Sequence, residues 1–280
     1  MKKILLLSMI GIMLSQPTYA ADQLAKAAGA EQIEKKDSAE ELAKKLANPI
    51  AALISVPFQF NYDSNIGAGD KGDRWLLNIQ PVVPISLNDD WNVISRTIVP
   101  LINQNDISPE SGSQTGIGDI VQSLFFSPKE PTSGGWILGV GPVFLFPSGT
   151  DDLLSSEKWG AGPTVVALKQ SGPWTYGALT NHIWSYAGED ERTDVNATFI
   201  QPFLTYTTKG AVSITVNTES TYDWEGEQWS VPLHLMITKV TTIGGQLISF
   251  GGGAHYWADS PENGPEGWGG RLICTLLFPK

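Results

Sequence analysis

The chain carries a single cysteine, Cys274, which excludes a disulfide framework and any Cys-based metal site. No Cys follows the apolar stretch near the start, so a lipoprotein anchor is not expected. Beyond residue 20 there is no long apolar run, so no transmembrane helix is expected. Charged residues make up only 17% of the chain, and acidic residues outnumber Lys and Arg by 29 to 18. An acidic chain without a basic stripe argues against nucleic acid as a partner. There is no Gly-x-Ser-x-Gly elbow, no His-x-x-x-His pair and no Ca²⁺-binding loop motif. No cofactor motif is found. Gly251–Gly253 reads as a strand bend or a crowded strand position, not as a phosphate loop.

What is present begins with a tripartite leader. Lys2 and Lys3 form a basic start, Ile4 to Leu14 an apolar centre, and Thr18-Tyr19-Ala20 a small-residue cleavage site. Residues 1–20 therefore read as a secretory signal peptide, with Ala21 opening the mature chain. Its removal takes the formal charge from −11 to −13, because it carries two lysines and no acid.

Residues 21–49 hold the one convincing helix, expected as a periplasmic segment or a plug. Ser38 and Glu41 have capping-box spacing, and Leu42, Leu46 and Ile50 recur every fourth residue. Glu41, Leu42, Lys45 and Leu46 are the residues expected to present the plug, and Pro49 ends the pattern. From Ala51 onward the period is two. Ile54, Val56, Phe58, Phe60 and Tyr62 alternate with Ser55, Pro57, Gln59 and Asn61, and similar runs recur to Phe278. Strands are expected near 51–62, 74–86, 91–102, 116–126, 135–146, 159–168, 174–186, 195–207, 211–222, 228–239, 246–257 and 267–278. Each spans about ten to thirteen residues, longer than strands of soluble sandwiches and long enough to cross a bilayer at a tilt.

The connections alternate in character. Asn88-Asp89-Asp90, 169–173 and 208–210 are short, whereas 63–73, 103–115, 147–158, 187–194, 223–228 and 258–266 are longer and hold most carboxylates. Only 127–134 departs from the length rule. Trp75, Trp91, Trp136, Trp159, Trp174, Tyr222, Trp229, Trp257 and Trp268 begin or end runs, as interfacial girdles would. Lipid tolerates no unpaired backbone, so such a sheet must close on itself. The fold expected is all-β: a closed antiparallel transmembrane β-barrel of about twelve strands over residues 50–280, with a short N-terminal helix. Two stacked sheets of a soluble periplasmic protein are the alternative fold.

The blocks NPIAALISVPFQFNYD (48–63), GDIVQSLFFSPK (118–129), IQPFLTY (200–206), DWEGEQWSVPL (223–233) and RLICTLLFPK (271–280) carry a family resemblance. In this order they resemble the bacterial outer-membrane barrel family of the phenol meta-pathway porin, often labelled "transporter". Thr205 stands where that family usually has Asn. The resemblance implies a barrel in the outer membrane of a Gram-negative bacterium. It also implies an outer-membrane channel or transporter for small solutes, with hydrophobic or aromatic compounds among them.

With apolar residues facing lipid, the lumen set is polar. Arg96, Glu219 and Arg271 are expected to form a charged network that filters solutes, or merely to satisfy one another in a filled barrel. Asn78, Gln80, Gln201, His234 and His255 are further selectivity candidates. No catalytic or metal-ligating residue and no cofactor is expected. The partners expected are outer-membrane lipids and lipopolysaccharide, the barrel assembly machinery and a small-molecule solute. Two other functions stay open: a structural barrel without a pore, and a lipid-modifying enzyme using one of His182, His234 or His255.

Overall fold

The computed structural model describes residues 38–108 and 111–279; the leader and the stretch 21–37 lie outside the described residues. The period-two runs become twelve barrel strands. They are β1 (Ile54–Ile66), β2 (Gly72–Ile79, resuming as Val82–Ser86), β3 (Trp91–Asn105) and β4 (Ser113–Ile117, resuming as Ile120–Pro128). Next come β5 (Trp136–Phe146), β6 (Lys158–Ser171), β7 (Trp174–Gly188) and β8 (Asn196–Thr207). The last four are β9 (Val212–Thr218, resuming as Ser220–Asp223), β10 (Gln228–Ile243), β11 (Gln246–Asp259) and β12 (Gly267–Phe278).

Each strand pairs antiparallel with its sequence neighbours. β1 then pairs β12 from Ile54↔Phe278 to Tyr62↔Gly270, which closes the barrel and leaves no edge. The unbroken strands run from 11 to 16 residues, several longer than the alternation alone predicts. β1, for example, extends to Ile66 through a bulge between Ser64 and Ile66.

Three strands are interrupted, two of them with a local cause. Pro81, which has no N–H to donate, sits in the gap of β2. At Gly118-Asp119 the register on β3 slips by one: Leu101 faces Ile117, yet Ile98 faces Val121. That extra residue is a β-bulge, which turns the side chains of β4 to opposite faces above and below it. β9 stays in register across Glu219. At the two-residue turn Gly244-Gly245, φ of 58° and 85° gives the hairpin geometry that glycine adopts freely.

Outside, an apolar belt faces away from the barrel, including Phe60, Val140, Leu204, Leu235, Phe250 and Leu272. Two rings of exposed Trp bound it. Trp91, Trp136 and Trp174 lie at the near end, where β1 starts; Trp75, Trp159, Trp229 and Trp268 lie at the far end. Trp257 corrects the girdle expectation. It shares parity with His255, so its indole points into the lumen and donates to Asp63.

Inside, the expected polar lining holds on one side only. On β3–β7 the inward residues Ile94, Phe125, Val166, Leu168 and Leu179 form a buried apolar cluster with Ile50. The helix α1 (Ala39–Leu46) is capped as its sequence implies: Ser38 Oγ accepts from Glu41 N, and Glu41 accepts from Ser38 N. Leu42 and Ala43 bury against Leu53, Ala211, Val240 and Leu277, inside the near end of the barrel. Ile50 leaves this face. The helix stops at Leu46, Asn48 Oδ1 accepts from Ile50 N, and the chain crosses to the opposite apolar cluster.

Candidate functional site

The lumen holds two layers of charged side chains, each delivered by strand parity. The upper layer centres on Asp63 of β1, two residues past Asn61 on the same face. Its Oδ1 accepts from His255 Nε2 at 2.8 Å and Trp257 Nε1 at 2.9 Å, and its Oδ2 meets Arg74 Nη2 at 3.3 Å. β12, paired between β1 and β11, makes room for this. A Cβ on Gly269 would lie 2.1 Å from His255 Nε2, so only glycine leaves the imidazole its place. His234 faces His255 in register, with ring centroids 5.0 Å apart. Neither His234 nitrogen has a hydrogen-bond partner among the described residues.

The middle layer centres on Arg271. Its Nη1 and Nη2 grip the two Glu219 oxygens at 2.8 and 2.9 Å, and its Nε donates to Asn61 Oδ1 at 2.6 Å. This bidentate pairing is the strong form of a guanidinium–carboxylate contact. Gln201 Nε2 and Asn217 Nδ2 donate to the same carboxylate at 3.3 and 3.4 Å, and His234 Nε2 lies 4.0 Å from it. The Gln59 amide lies 3.1 Å from that of Gln80 and 2.8 Å from Arg271 Nη2. Gln80 Oε1 in turn accepts from Arg96 Nη2 at 3.0 Å.

The expected trio is therefore connected, but not as three mutual ion pairs. Arg271 and Glu219 bond directly, and Arg96 joins them through two glutamines. Asn78 faces Gln59 in register, but no hydrogen bond among the described residues ties it to the network. His234 and His255 sit a layer above the residues that line the cavity.

That cavity, about 260 Å³, lies between the middle layer and the N-terminal segment. Arg96, Arg271, Glu219 and Gln80 line one side of it, and Lys45, Leu46, Pro49 and Leu53 another. Thr205, at the position where the sequence departs from its family pattern, bonds Thr215 at 2.9 Å in the cavity wall. Glu41 stays at the helix start in its cap.

Sequence reasoning missed Asp63, which it assigned to a connection. Continuing the parity of Gln59 and Asn61 by one step would have found it. It also missed Asp119, whose carboxylate accepts from Gly149 N, Ser155 Oγ, Ser156 N and Ser156 Oγ at 2.6 to 3.1 Å. These bonds fold the connection 147–157 inward over β4: a Cβ on Gly116 would strike Thr150, and Leu154 is buried. His182 points outward and lies 2.7 Å from Thr198 Oγ1, which also accepts from Trp224. His255 is engaged with Asp63, not with Ser249, six positions back along β11. Among the described residues no cluster of three or more His, Cys, Asp or Glu is placed to hold a metal.

No protein-family model matches the chain, and no curated protein matches it either. Solved structures do. The crystal structure of the COG4313 outer membrane channel from Pseudomonas putida F1 superposes with a TM-score of 0.64 at 13% identity, over 81% of this chain and 96% of that one. The β domain of the Bordetella autotransporter BrkA matches at a TM-score of 0.44 and 12% identity, over 81% of this chain and all of that domain. The first of these likenesses agrees with the fold: a closed antiparallel barrel of twelve strands with one short helix.

Proposed function

We propose that the protein is an outer-membrane channel for small solutes in a Gram-negative bacterium, closed at rest by its own N-terminal segment. The observation that carries this is the pairing of an apolar belt outside with a charged, partly hollow lumen inside. A soluble protein rarely exposes so continuous an apolar surface. The belt suits a bilayer, and the Trp rings suit its two interfaces. The alternation of short and longer connections sets the orientation, with the near end periplasmic. The acidic far-end connections would then face lipopolysaccharide, and insertion would need the barrel assembly machinery.

The fold neighbour named as a channel lends the reading support, and the family resemblance adds hydrophobic or aromatic compounds as cargo. Arg96, Glu219 and Arg271 would act as the filter, and residues 38–53 as the plug. Planar-bilayer recording of the refolded mature protein, with and without residues 21–46, tests this. Discrete conductance steps that grow on deletion are expected. Silence in both forms would instead favour a structural barrel without a pore, a reading for which the segments folded into both ends speak.

A further inference from the structure

Arg96 differs from the other cations of the two layers. Arg271 is answered by Glu219, and Arg74 by Asp63. Among the described residues the Arg96 side chain makes one hydrogen bond, from Nη2 to Gln80, and no carboxylate lies within ion-pairing distance of it. Glu219 acts on it electrostatically, but both oxygens of that carboxylate are already held by Arg271. A guanidinium inside a protein without a counter-charge is costly, and this one keeps most of its five donors uncommitted. Gln80 holds it in the wall of the cavity.

The rest of the cavity narrows the choice of anion. Leu46, Pro49, Leu53, Val82, Phe203 and Met236 give it a substantial apolar surface. An inorganic dianion would leave that surface unmatched and would want a second unpaired cation; Arg271 is held by Glu219, and Lys45, across the cavity, already has a partner. The volume, about 260 Å³, falls just under the roughly 300–1,000 Å³ of pockets for drug-sized ligands. One ring or a short chain would fit.

We propose that this cavity binds a small organic monocarboxylate, its carboxylate received by the Arg96 fork and its compact apolar body packed against residues 46–53. The inference deepens the channel reading by naming a substrate class for the same lumen, and rests on that reading for its physiological meaning. Binding itself does not require conduction.

Equilibrium dialysis of the full mature chain, refolded in detergent and corrected against empty micelles, tests it with three probes. Benzoate is the acid, benzyl alcohol its neutral counterpart, and inorganic phosphate an anion without an apolar body. Saturable benzoate binding at one per chain is expected, with the other two at least about tenfold weaker, benzyl alcohol for want of the charged hydrogen-bonded contact and phosphate for want of apolar packing. Arg96→Gln should weaken benzoate by about tenfold or more and leave benzyl alcohol unchanged. Gln80→Leu, which frees the guanidinium from its anchor, should weaken benzoate by less and serves where Arg96→Gln fails to refold. Benzyl alcohol binding as well as benzoate, or undiminished benzoate binding in Arg96→Gln, would overturn the proposal. Phosphate binding as well as benzoate would overturn the ligand class. Benzoate binding in a protein silent in bilayers would sink the channel reading and leave the site. Conductance without benzoate binding would do the reverse.

Discussion

The two ends of the lumen hold their inward-folded segments by different physics. At the near end, α1 and residues 47–53 lie between two apolar clusters, one around Leu42, Leu53 and Leu277, the other around Ile50 and Phe125. Among the hydrogen bonds described, one polar contact ties α1 to the wall: Gln170 Nε2 donates to Lys44 O at 2.8 Å. At the far end, the connection 147–157 is held by polar contacts. Asp119 receives four donors, Arg192 donates to Asp152 O and Ser155 O and pairs Glu157 at 3.3 Å, and Gln104 donates to Leu153 O. Apolar burial is non-directional and scales with area, so a segment so held can slide out as a unit. A set of oriented hydrogen bonds fixes one geometry. The contrast predicts that the near end opens and the far end stays.

The substitution expected to break this comparison hardest is Leu42→Asp. Leu42 is 1% exposed, and a carboxylate there would be buried without a partner. Even Leu→Ala at such a site costs about 2–5 kcal/mol, and each 1.4 kcal/mol shifts an equilibrium tenfold. The plug should leave while the barrel stays closed along its strands. Bilayer conductance should rise to that of the form lacking residues 21–46, with heat-modifiable gel migration unchanged. An unaltered conductance would mean that apolar burial does not seal the near end.

Asp119→Asn probes the other end. It removes a charge that four donors share, a loss of about 1–3 kcal/mol. The connection 147–157 should loosen and be cut faster by added protease, while conductance changes less than in Leu42→Asp. A larger conductance change in Asp119→Asn would invert the assignment of the moving end. Gly269→Ala then sharpens the comparison by disturbing neither segment. The added methyl collides with His255 Nε2, and overpacking of this kind costs about 1–3 kcal/mol. The melting temperature should fall and conductance stay put. A change in conductance would bring the Asp63–His255 layer into the gate.

The parts of the molecule governed by local rules were legible in the sequence. Period-two alternation located all twelve strands, and the Ser38–Glu41 spacing located the helix start. The crowding of Gly251 and Gly253, whose Cβ atoms would lie 2.0 and 1.9 Å from β10 carbonyl oxygens, was one of two readings offered. What failed was non-local. Nothing in the residues around Asp119 announces that a connection 30 positions later returns to it. Trp257 looked like a girdle residue because ring placement was judged by run ends, when its parity with His255 already pointed it inward. On the inward faces of β3–β7, Ile50 of the N-terminal segment joins the apolar cluster, a contact no strand-by-strand reading supplies. Parity put Arg96, Glu219 and Arg271 on the inward face. Their division into one closed pair and one cation without a counter-charge required the geometry.

The smallest expected effect lies on the far-end rim. Lys158, buried at the start of β6, meets Asp194 at 3.0 Å, and Ser185 Oγ donates to the same carboxylate at 3.0 Å. The Lys158 contact, then the Ser185 bond, hold the Asp194 carboxyl below the usual carboxylate range. A depressed folded pKa means stability that is present above the unfolded value and lost as pH falls through the folded one. The tie is therefore complete at neutral pH and disappears only in acid. Because Asp194 is 67% exposed, solvent screens the pair and its contribution is slight. Asp194→Asn should lower the melting temperature slightly at pH 7, and the gap from wild type should close as the pH is taken below the carboxylate range. A gap of equal size at both pH values would show that the side-chain charge does not hold the rim. That would leave the oriented hydrogen bonds of Asp119 as the main far-end fastening, and would sharpen the contrast with the apolar seal below.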